Sequence, residues 1–338
     1  MATKNENPPT RHSWRLPIAA FIAGATLVFL LFLVFSSDAR NNIVGVPTEI
    51  REGGYRFISP LLECEMVSNS LQGSKYNFKK TLADLVNAKV AAGSVNVIAI
   101  YYRDLTNGPW FGINSDEPFL PASLLKVPIA MTVLKMAEDD PTILSRVIRV
   151  NEPYVFPGDK AQFISPEKQV EVGKEYTVRE LMELALGYSD NHANMILYNQ
   201  VVDTEVLFDL FTRLGVPTDV LNNMNATISA RNYATFFRIL YNSSFLNRAS
   251  SELLLEFLSE TSFTKGLIGG VPEMTVVSHK FGEAGTTQEH QLHDCGIVYH
   301  EKYPYVACVM ARGPSIEELE SSIQEVSRIL YTEVSKFE

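Results

Sequence analysis

Strand-like segments lie near both ends of this chain of 338 residues, and a long helical block separates them, an order that strongly constrains the fold. β-Branched and aromatic residues favour strands at 94–102 and 110–113, joined by a turn signal rather than by a crossover helix. Strand signals return at 276–281, 295–299 and 305–311, and the last two form a hairpin. The order predicts an α+β fold: an antiparallel sheet flanked by helices, built from both ends of the chain, with an inserted all-helical subdomain.

Apolar residues at helical spacing predict the remaining elements. The predicted helices cover residues 78–90, 123–136, 178–186, 191–202, 206–214, 230–241, 250–258 and 316–330. Hydrophobic residues make up 46% of the chain and charged residues 20%, a balance that is typical of a globular protein rather than of a disordered one.

The N-terminal region carries a membrane signal. Lys4, Arg11 and Arg15 precede a charge-free apolar run at residues 18–35, which is long enough to cross the hydrocarbon core of a bilayer. The positive flank predicts a cytoplasmic segment at residues 1–17 and a body on the other side of the membrane. The expected location is therefore the cell membrane, with one span and an extracytoplasmic catalytic domain.

A cleaved signal peptide is the competing interpretation, with Ser37-Asp38-Ala39 as a cleavage site and a secreted product. We favour the uncleaved anchor, because the run is longer than the usual signal-peptide core of about 7–15 residues. Either interpretation exports the rest of the chain. Residues 36–76 then form a linker or stalk, and residues 77–335 the catalytic domain.

Charge and composition exclude several functions. The formal net charge is −10 and no Lys/Arg-rich run follows Arg15, so nothing indicates nucleic-acid binding. No CxxC motif or histidine cluster suggests a metal site, and we predict neither a metal nor a cofactor.

Of the three cysteines, Cys295 and Cys308 lie in strand-like runs and could face each other across a hairpin. We favour two small buried thiols over a disulfide bond.

A candidate nucleophile opens the first helix of the block. Ser123 and Lys126 lie three residues apart and therefore share a helix face. Serine needs an adjacent base to attack a carbonyl carbon, and a buried lysine with a lowered pKa can be that base. The structural alternative is a helix-capping Ser123 beside a solvated Lys126.

Two further motifs remove much of that ambiguity. Tyr188-Ser189-Asp190-Asn191 stands between two predicted helices, and His279-Lys280-Phe281-Gly282 ends a predicted strand. In this order the three motifs resemble the SxxK, SDN and KTG signatures of the serine β-lactamase and penicillin-binding protein superfamily. The flanking residues 176–181 and 296–299 make the chain most similar to class A β-lactamases, over about residues 77–335.

This resemblance implies catalytic roles for three residues. Ser123 would attack the carbonyl carbon of a β-lactam or of an acyl-D-alanine peptide. Lys126 would be its base or part of the proton path. Ser189 would relay the proton to the leaving nitrogen.

It also implies substrate-binding roles. Asn191 would bind the side-chain amide of the substrate, and Lys280 its carboxylate. Gly282 would let the backbone approach the substrate. The backbone N–H groups of Ser123 and Glu283 would stabilise the oxyanion, each such donor being worth about 3 kcal/mol of barrier.

The chain departs from the family in two places. Phe281 replaces the threonine of the third motif and removes a hydroxyl that helps to bind a carboxylate; Lys265 is a weak candidate to compensate, and a solvated lysine is the favoured interpretation. The loop that carries a water-activating glutamate in class A enzymes is short here. The stretch 216–228 contains no glutamate, and its only carboxylate, Asp219, is expected to be an ordinary turn residue.

Three functions remain open at this point. The first is a class A β-lactamase-like hydrolase, with a role in antibiotic resistance, whose acyl-enzyme is hydrolysed slowly. The second is a peptidoglycan D,D-peptidase, favoured by the membrane anchor and the short loop. The third is a non-catalytic descendant that binds cell-wall fragments or a protein partner. The retained Ser123, Lys126, Ser189 and Lys280 favour an enzyme.

Overall fold

The computed structural model describes residues 46–67, 78–106, 108–154, 163–286 and 288–337. The chain divides into a small unit, residues 1–46 and 67–70, and a large unit, residues 47–66 and 71–338, to which the elements that build the site belong. None of the helices among the described residues has the length and hydrophobicity of a transmembrane span. The predicted anchor at 18–35 lies outside those residues.

A five-stranded antiparallel sheet forms the centre of the large unit, in the order β4-β3-β9-β8-β7. Its strands are β3 (Val97–Asp104), β4 (Trp110–Ile113), β7 (Val277–Gly285), β8 (His290–Val298) and β9 (Tyr305–Gly313). Strand β3 from the first half of the chain pairs with β9 from its end. This pairing confirms the prediction that both ends of the chain build one sheet.

Both faces of this sheet are covered, which explains why β9 is apolar almost throughout. Side chains of a strand alternate between faces, so Ile98 and Tyr102 pack with helices α1 (Phe78–Ala91) and α8 (Ile316–Val334). Tyr101, on the other face, belongs to the core shared with the helical subdomain. The predicted flanking of the sheet by helices is confirmed.

Six helices form the inserted subdomain, together with the short pair β5 (Val147–Arg149) and β6 (Glu175–Thr177). They are α2 (Lys126–Asp139), α3 (Val178–Gly187), α4 (Asn191–Gln200), α5 (Thr204–Leu214), α6 (Ala230–Tyr241) and α7 (Arg248–Ser259). Several begin at caps that the sequence supplies. Thr177 and Glu180 form a capping box on α3, and Asp190 caps α4 by accepting a hydrogen bond from His192 N.

Part of the region predicted to be a linker is ordered against the subdomain. Strands β1 (Val46–Arg51) and β2 (Leu61–Val67) form a two-stranded sheet, and between them Phe57 and Ile58 are buried in the main core. Glu252 of α7 accepts hydrogen bonds from three consecutive backbone N–H groups, those of residues 56–58. The domain limits predicted from the sequence remain a prediction, but residues 51–60 pack like part of a folded domain.

The expectation of two free thiols at Cys295 and Cys308 is wrong. The two residues stand directly opposite each other on β8 and β9 and form a disulfide bond. The strand-like runs indicated that they could meet, but only the register of the pairing places them side by side.

Candidate active site

The candidate nucleophile Ser123 lies on a single turn of 3-10 helix, Ala122–Leu125, that leads into α2. The predicted helix thus starts in a tighter form than expected. Ala122 has a positive φ of 49°, a conformation that costs about 1–3 kcal/mol for a non-glycine residue and is found mostly at functional sites. A hydrogen bond from the Tyr233 hydroxyl to Leu124 O, 2.8 Å long, holds the turn. Ser123 itself is half-buried.

Lys126, one turn further on, is buried and points at the second motif. Its Nζ donates to Ser189 O at 2.5 Å, to Ser189 Oγ at 3.1 Å and to Asn191 Oδ1 at 2.8 Å. Burial, with the nearby Lys280 charge, holds the pKa of Lys126 well below the usual lysine value. Within the described part of the chain, no hydrogen bond joins Ser123 Oγ to Lys126.

The hydroxyl of Ser189 lies between two lysines. Its Oγ accepts from Lys126 Nζ at 3.1 Å and from Lys280 Nζ at 2.9 Å. Ser189 is almost fully buried and has a positive φ of 56°. The next residue, Asp190, fixes this turn, because its carboxylate accepts from the backbone N–H groups of Val170 and His192.

Lys280 reaches the site from strand β7 and is fully buried. Its Nζ donates to Ser189 Oγ and, at 3.0 Å, to Phe281 O. Burial lowers the pKa of Lys280 to about 7, and the carboxylates of Asp294 and Glu283 limit that shift. Two amines with lowered pKa values on one hydroxyl make a path along which a proton can move.

Gly282 brings β7 close to the nucleophile turn. A Cβ atom added there would lie 3.0 Å from Leu124 Cγ and 3.1 Å from Pro121 O. A side chain at this position would therefore crowd the turn, and neighbouring atoms would have to shift by a few tenths of an ångström. The backbone N–H of Glu283, the predicted second oxyanion donor, belongs to the same stretch of strand.

The side chain of Glu283 makes contacts that the sequence did not predict. Its carboxylate accepts from Phe163 N at 3.1 Å and from Ile164 N at 2.9 Å. Burial raises the pKa of Glu283, while those two hydrogen bonds and the charges of Lys126 and Lys280 act in the opposite direction.

The Phe281 ring makes an aromatic contact and covers the Lys280 amine. Its ring stacks on Phe263 with 4.2 Å between the ring centroids, and Lys280 Nζ lies 4.1 Å from the centroid of the Phe281 ring. Lys265 does not replace the missing hydroxyl: it is largely exposed and pairs with Glu320 at 3.3 Å.

Two side chains of β8 hold the segment before the nucleophile. Gln291 Oε1 accepts from Leu120 N at 3.1 Å, and His293 Nε2 lies 3.0 Å from Leu120 O, to which it donates. Burial lowers the pKa of His293 to about 4, so the ring is neutral at neutral pH. Their spacing of two residues on a strand is the signal that could have placed both on one face.

The short loop at residues 216–228 places no carboxylate in contact with Lys126 or Lys280. Asp219 is exposed on the 3-10 turn Asp219–Leu221. Two other carboxylates, those of Asp190 and Glu283, raise the pKa of Lys126 and so offset part of the effect of burial. Among the described residues, no group of three or more His, Cys, Asp or Glu side chains could hold a metal ion.

The known proteins that this chain matches include several β-lactamases. A model of the β-lactamase enzyme family matches residues 77–334. The chain is 25% identical to a β-lactamase of Bacteroides uniformis over 247 residues, which are 66% of this chain and 82% of that protein. It is 32% identical to β-lactamase ROB-1 of Haemophilus influenzae over 139 residues, 41% of each chain. The structure of PBP-A shares the fold, with a TM-score of 0.65 at 22% identity over 78% of this chain and 97% of that one.

Proposed function

Because this chain belongs to the β-lactamase enzyme family and is a serine hydrolase of the class A-like type, we propose that it forms an acyl-enzyme on Ser123 with β-lactams and hydrolyses that adduct slowly. The observation that carries the proposal is the Ser189 hydroxyl held between two buried lysines, next to the turn that bears Ser123.

Acylation proceeds as a proton transfer coupled to nucleophilic attack. The lowered pKa of Lys126 favours its neutral amine, which takes the proton of Ser123 Oγ as that oxygen bonds to the carbonyl carbon. The backbone N–H groups of Ser123 and Glu283 stabilise the oxyanion. When the carbon–nitrogen bond breaks, the leaving nitrogen receives a proton from Ser189, which is reprotonated by Lys126 or Lys280.

Asn191, Lys280 and Gly282 complete the proposed site. Asn191 accepts from Lys126, which supports a role in orienting that amine as well as the substrate amide. Lys280 supplies positive charge beside Ser189, and the missing side chain of Gly282 lets the strand approach the acylated turn.

Deacylation is the slow half of the proposed cycle. It requires a group that removes a proton from water, and the short loop offers only the exposed Asp219. We therefore expect the ester on Ser123 to persist.

Mass spectrometry of the intact protein after mixing with benzylpenicillin tests both halves. The expected result is an adduct of one penicillin that forms on the wild type, is absent from Ser123→Ala and decays slowly. Lack of an adduct and of turnover with several β-lactams would refute the proposal. Rapid turnover would refute the slow hydrolysis.

A peptidoglycan D,D-peptidase is the second candidate, supported by the short loop between α5 and α6. Release of D-alanine from an acyl-D-Ala-D-Ala peptide at a rate above that of nitrocefin hydrolysis would favour it. The opposite order of rates would favour the β-lactamase.

The apolar run at residues 18–35 supports an anchored, extracytoplasmic enzyme. Digestion of intact cells with an external protease, followed by immunoblotting against the catalytic domain, is the test. Full protection in cells with a permeable outer layer would contradict this location.

A further inference from the structure

Residues 163–170 form a strap that is tied at both ends to elements of the candidate active site. At its start, the carboxylate of Glu283 accepts hydrogen bonds from the first two backbone N–H groups of the strap, at 3.1 and 2.9 Å. At its end, Val170 N donates to the carboxylate of Asp190 at 2.8 Å. One tie therefore lies on strand β7 and the other on the turn of the second motif.

Both ties are next to residues that build the site. Glu283 follows Gly282, where β7 touches the nucleophile turn: a Cβ atom there would lie 3.2 Å from Leu124 N. Asp190 follows Ser189, whose hydroxyl accepts from both buried lysines. The strap therefore bridges two of the elements that meet beside the nucleophile turn, and it borders the candidate site.

The tie at Glu283 is a tertiary contact rather than a local one. Glu283 lies 119 and 120 residues from the two N–H groups that it accepts from, and those two residues are in a bend and not at the start of a helix. Hydrogen bonds to a carboxylate are stronger than those between neutral groups. The carboxylate therefore fixes the position of the strap relative to β7.

The start of the strap can lift without disrupting the core. Val170 is the buried residue of the strap, and the others are half-buried or exposed. The Phe163 ring packs edge-on against His290 with 4.5 Å between the ring centroids, and Lys168 Nζ lies 4.9 Å from the centroid of the Tyr188 ring. Because lifting the first residues uncovers no fully buried side chain, the Glu283 tie is a main contribution to the closed position.

From the two ties and their place beside the nucleophile turn, we infer that the strap gates the candidate active site and that the Glu283 tie keeps it closed. Glu283 is then a specificity-determining residue, because a substrate with a large side chain needs the strap to open and a small one does not. This inference rests on the proposed acylation of Ser123 and deepens it by naming the size class of substrate that reacts readily.

Two penicillins test the gate: 6-acetamidopenicillanic acid, which has a small side chain, and piperacillin, which has a large neutral one. Acylation of the full chain is timed by intact-mass spectrometry. In Glu283→Ala we expect the ratio of the piperacillin rate to the acetamido rate to rise about fivefold, since losing one hydrogen bond shifts an opening equilibrium by about that factor. Both compounds carry one carboxylate, so the direct effect of removing the Glu283 charge cancels in the ratio.

Hydrogen exchange of the backbone amides of Phe163 and Ile164 reports on the tie without any substrate. We expect exchange to be about fivefold faster in Glu283→Ala than in the wild type. Glu283→Gln keeps one acceptor oxygen and should lie between them. Glu289→Ala is the matched control: it removes the same charge from the hairpin of β7 and β8, where the carboxylate accepts from Asn96, and should leave both measurements unchanged.

Equal exchange rates in Glu283→Ala and the wild type overturn the inference, because the tie would then not hold the strap in solution. Faster exchange with an unchanged ratio of acylation rates also overturns the gate and leaves the acyl-enzyme proposal standing. If neither penicillin acylates any of the four proteins, the proposed function fails and the gate fails with it.

Discussion

Individual side chains, some far apart in the sequence, set the geometry of the candidate oxyanion site. One expected donor belongs to the nucleophile turn and the other to β7, so their separation depends on how turn and strand are joined. His293 stands opposite Gly282 in the sheet and is hydrogen-bonded to Leu120, three residues before the nucleophile. An antiparallel β-bridge between Phe119 and Ile228 also holds this segment. We therefore expect His293 to position the donors rather than to take part in catalysis.

We expect His293→Phe to slow acylation by benzylpenicillin about fivefold at neutral pH. One hydrogen bond is worth about 1 kcal/mol, which corresponds to that factor in rate when the bond acts on the transition state. His293→Gln, whose amide can donate to the same carbonyl, should restore part of the rate at a similar free energy of unfolding. Equal acylation rates in His293→Phe and the wild type would contradict a positioning role.

Among the elements, the segment between β1 and β2 differs most from its sequence-based description. Gly53 and Gly54 give this region the composition of a linker. Its few apolar residues are nevertheless buried, and the Tyr299 hydroxyl donates to Phe57 O at 3.0 Å. The contact partners lie about two hundred residues away in the sequence, so no local pattern could reveal them.

Phe57→Ala should therefore lower the free energy of unfolding by about 3 kcal/mol, the usual cost of removing a buried phenyl ring. Urea unfolding followed by circular dichroism measures it. Leu61→Ala, at a position that is 39% exposed, is the control and should change stability by less than about 0.5 kcal/mol. If the two variants lose the same amount, the segment does not contribute to the fold in solution.

For the molecule as a whole, the candidate site lowers stability. Lys280 is fully buried and its pKa falls from 10.5 to about 7 on folding, so the folded state disfavours the protonated form. The resulting penalty is present in full below about pH 7 and fades as the pH rises towards 10.5. Positive φ angles at Ala122 and Ser189 add backbone strain in the same place.

Replacing Lys280 by methionine should consequently stabilise the protein while abolishing fast acylation. We expect a gain of about 2 kcal/mol at pH 7 that is clearly smaller at about pH 10, because a growing fraction of the lysine is then neutral in the unfolded state as well. Urea unfolding of wild type and Lys280→Met at the two pH values measures the difference. A gain that stays constant with pH would mean that the charge of Lys280 is not its cause.

Most of the elements and the order of the motifs follow from the sequence alone, because helical and strand periodicities and end caps are local properties. It predicted the sheet built from both chain ends, the helical insertion and the three motifs whose side chains meet at the Ser189 hydroxyl. How those segments face each other depends on the tertiary structure, which sets the Ser189 hydroxyl between two amines, the carboxylate of Glu283 on the backbone N–H of Ile164 and the disulfide between Cys295 and Cys308. These contacts depend on strand register and on packing between distant segments, and no single stretch of sequence contains either.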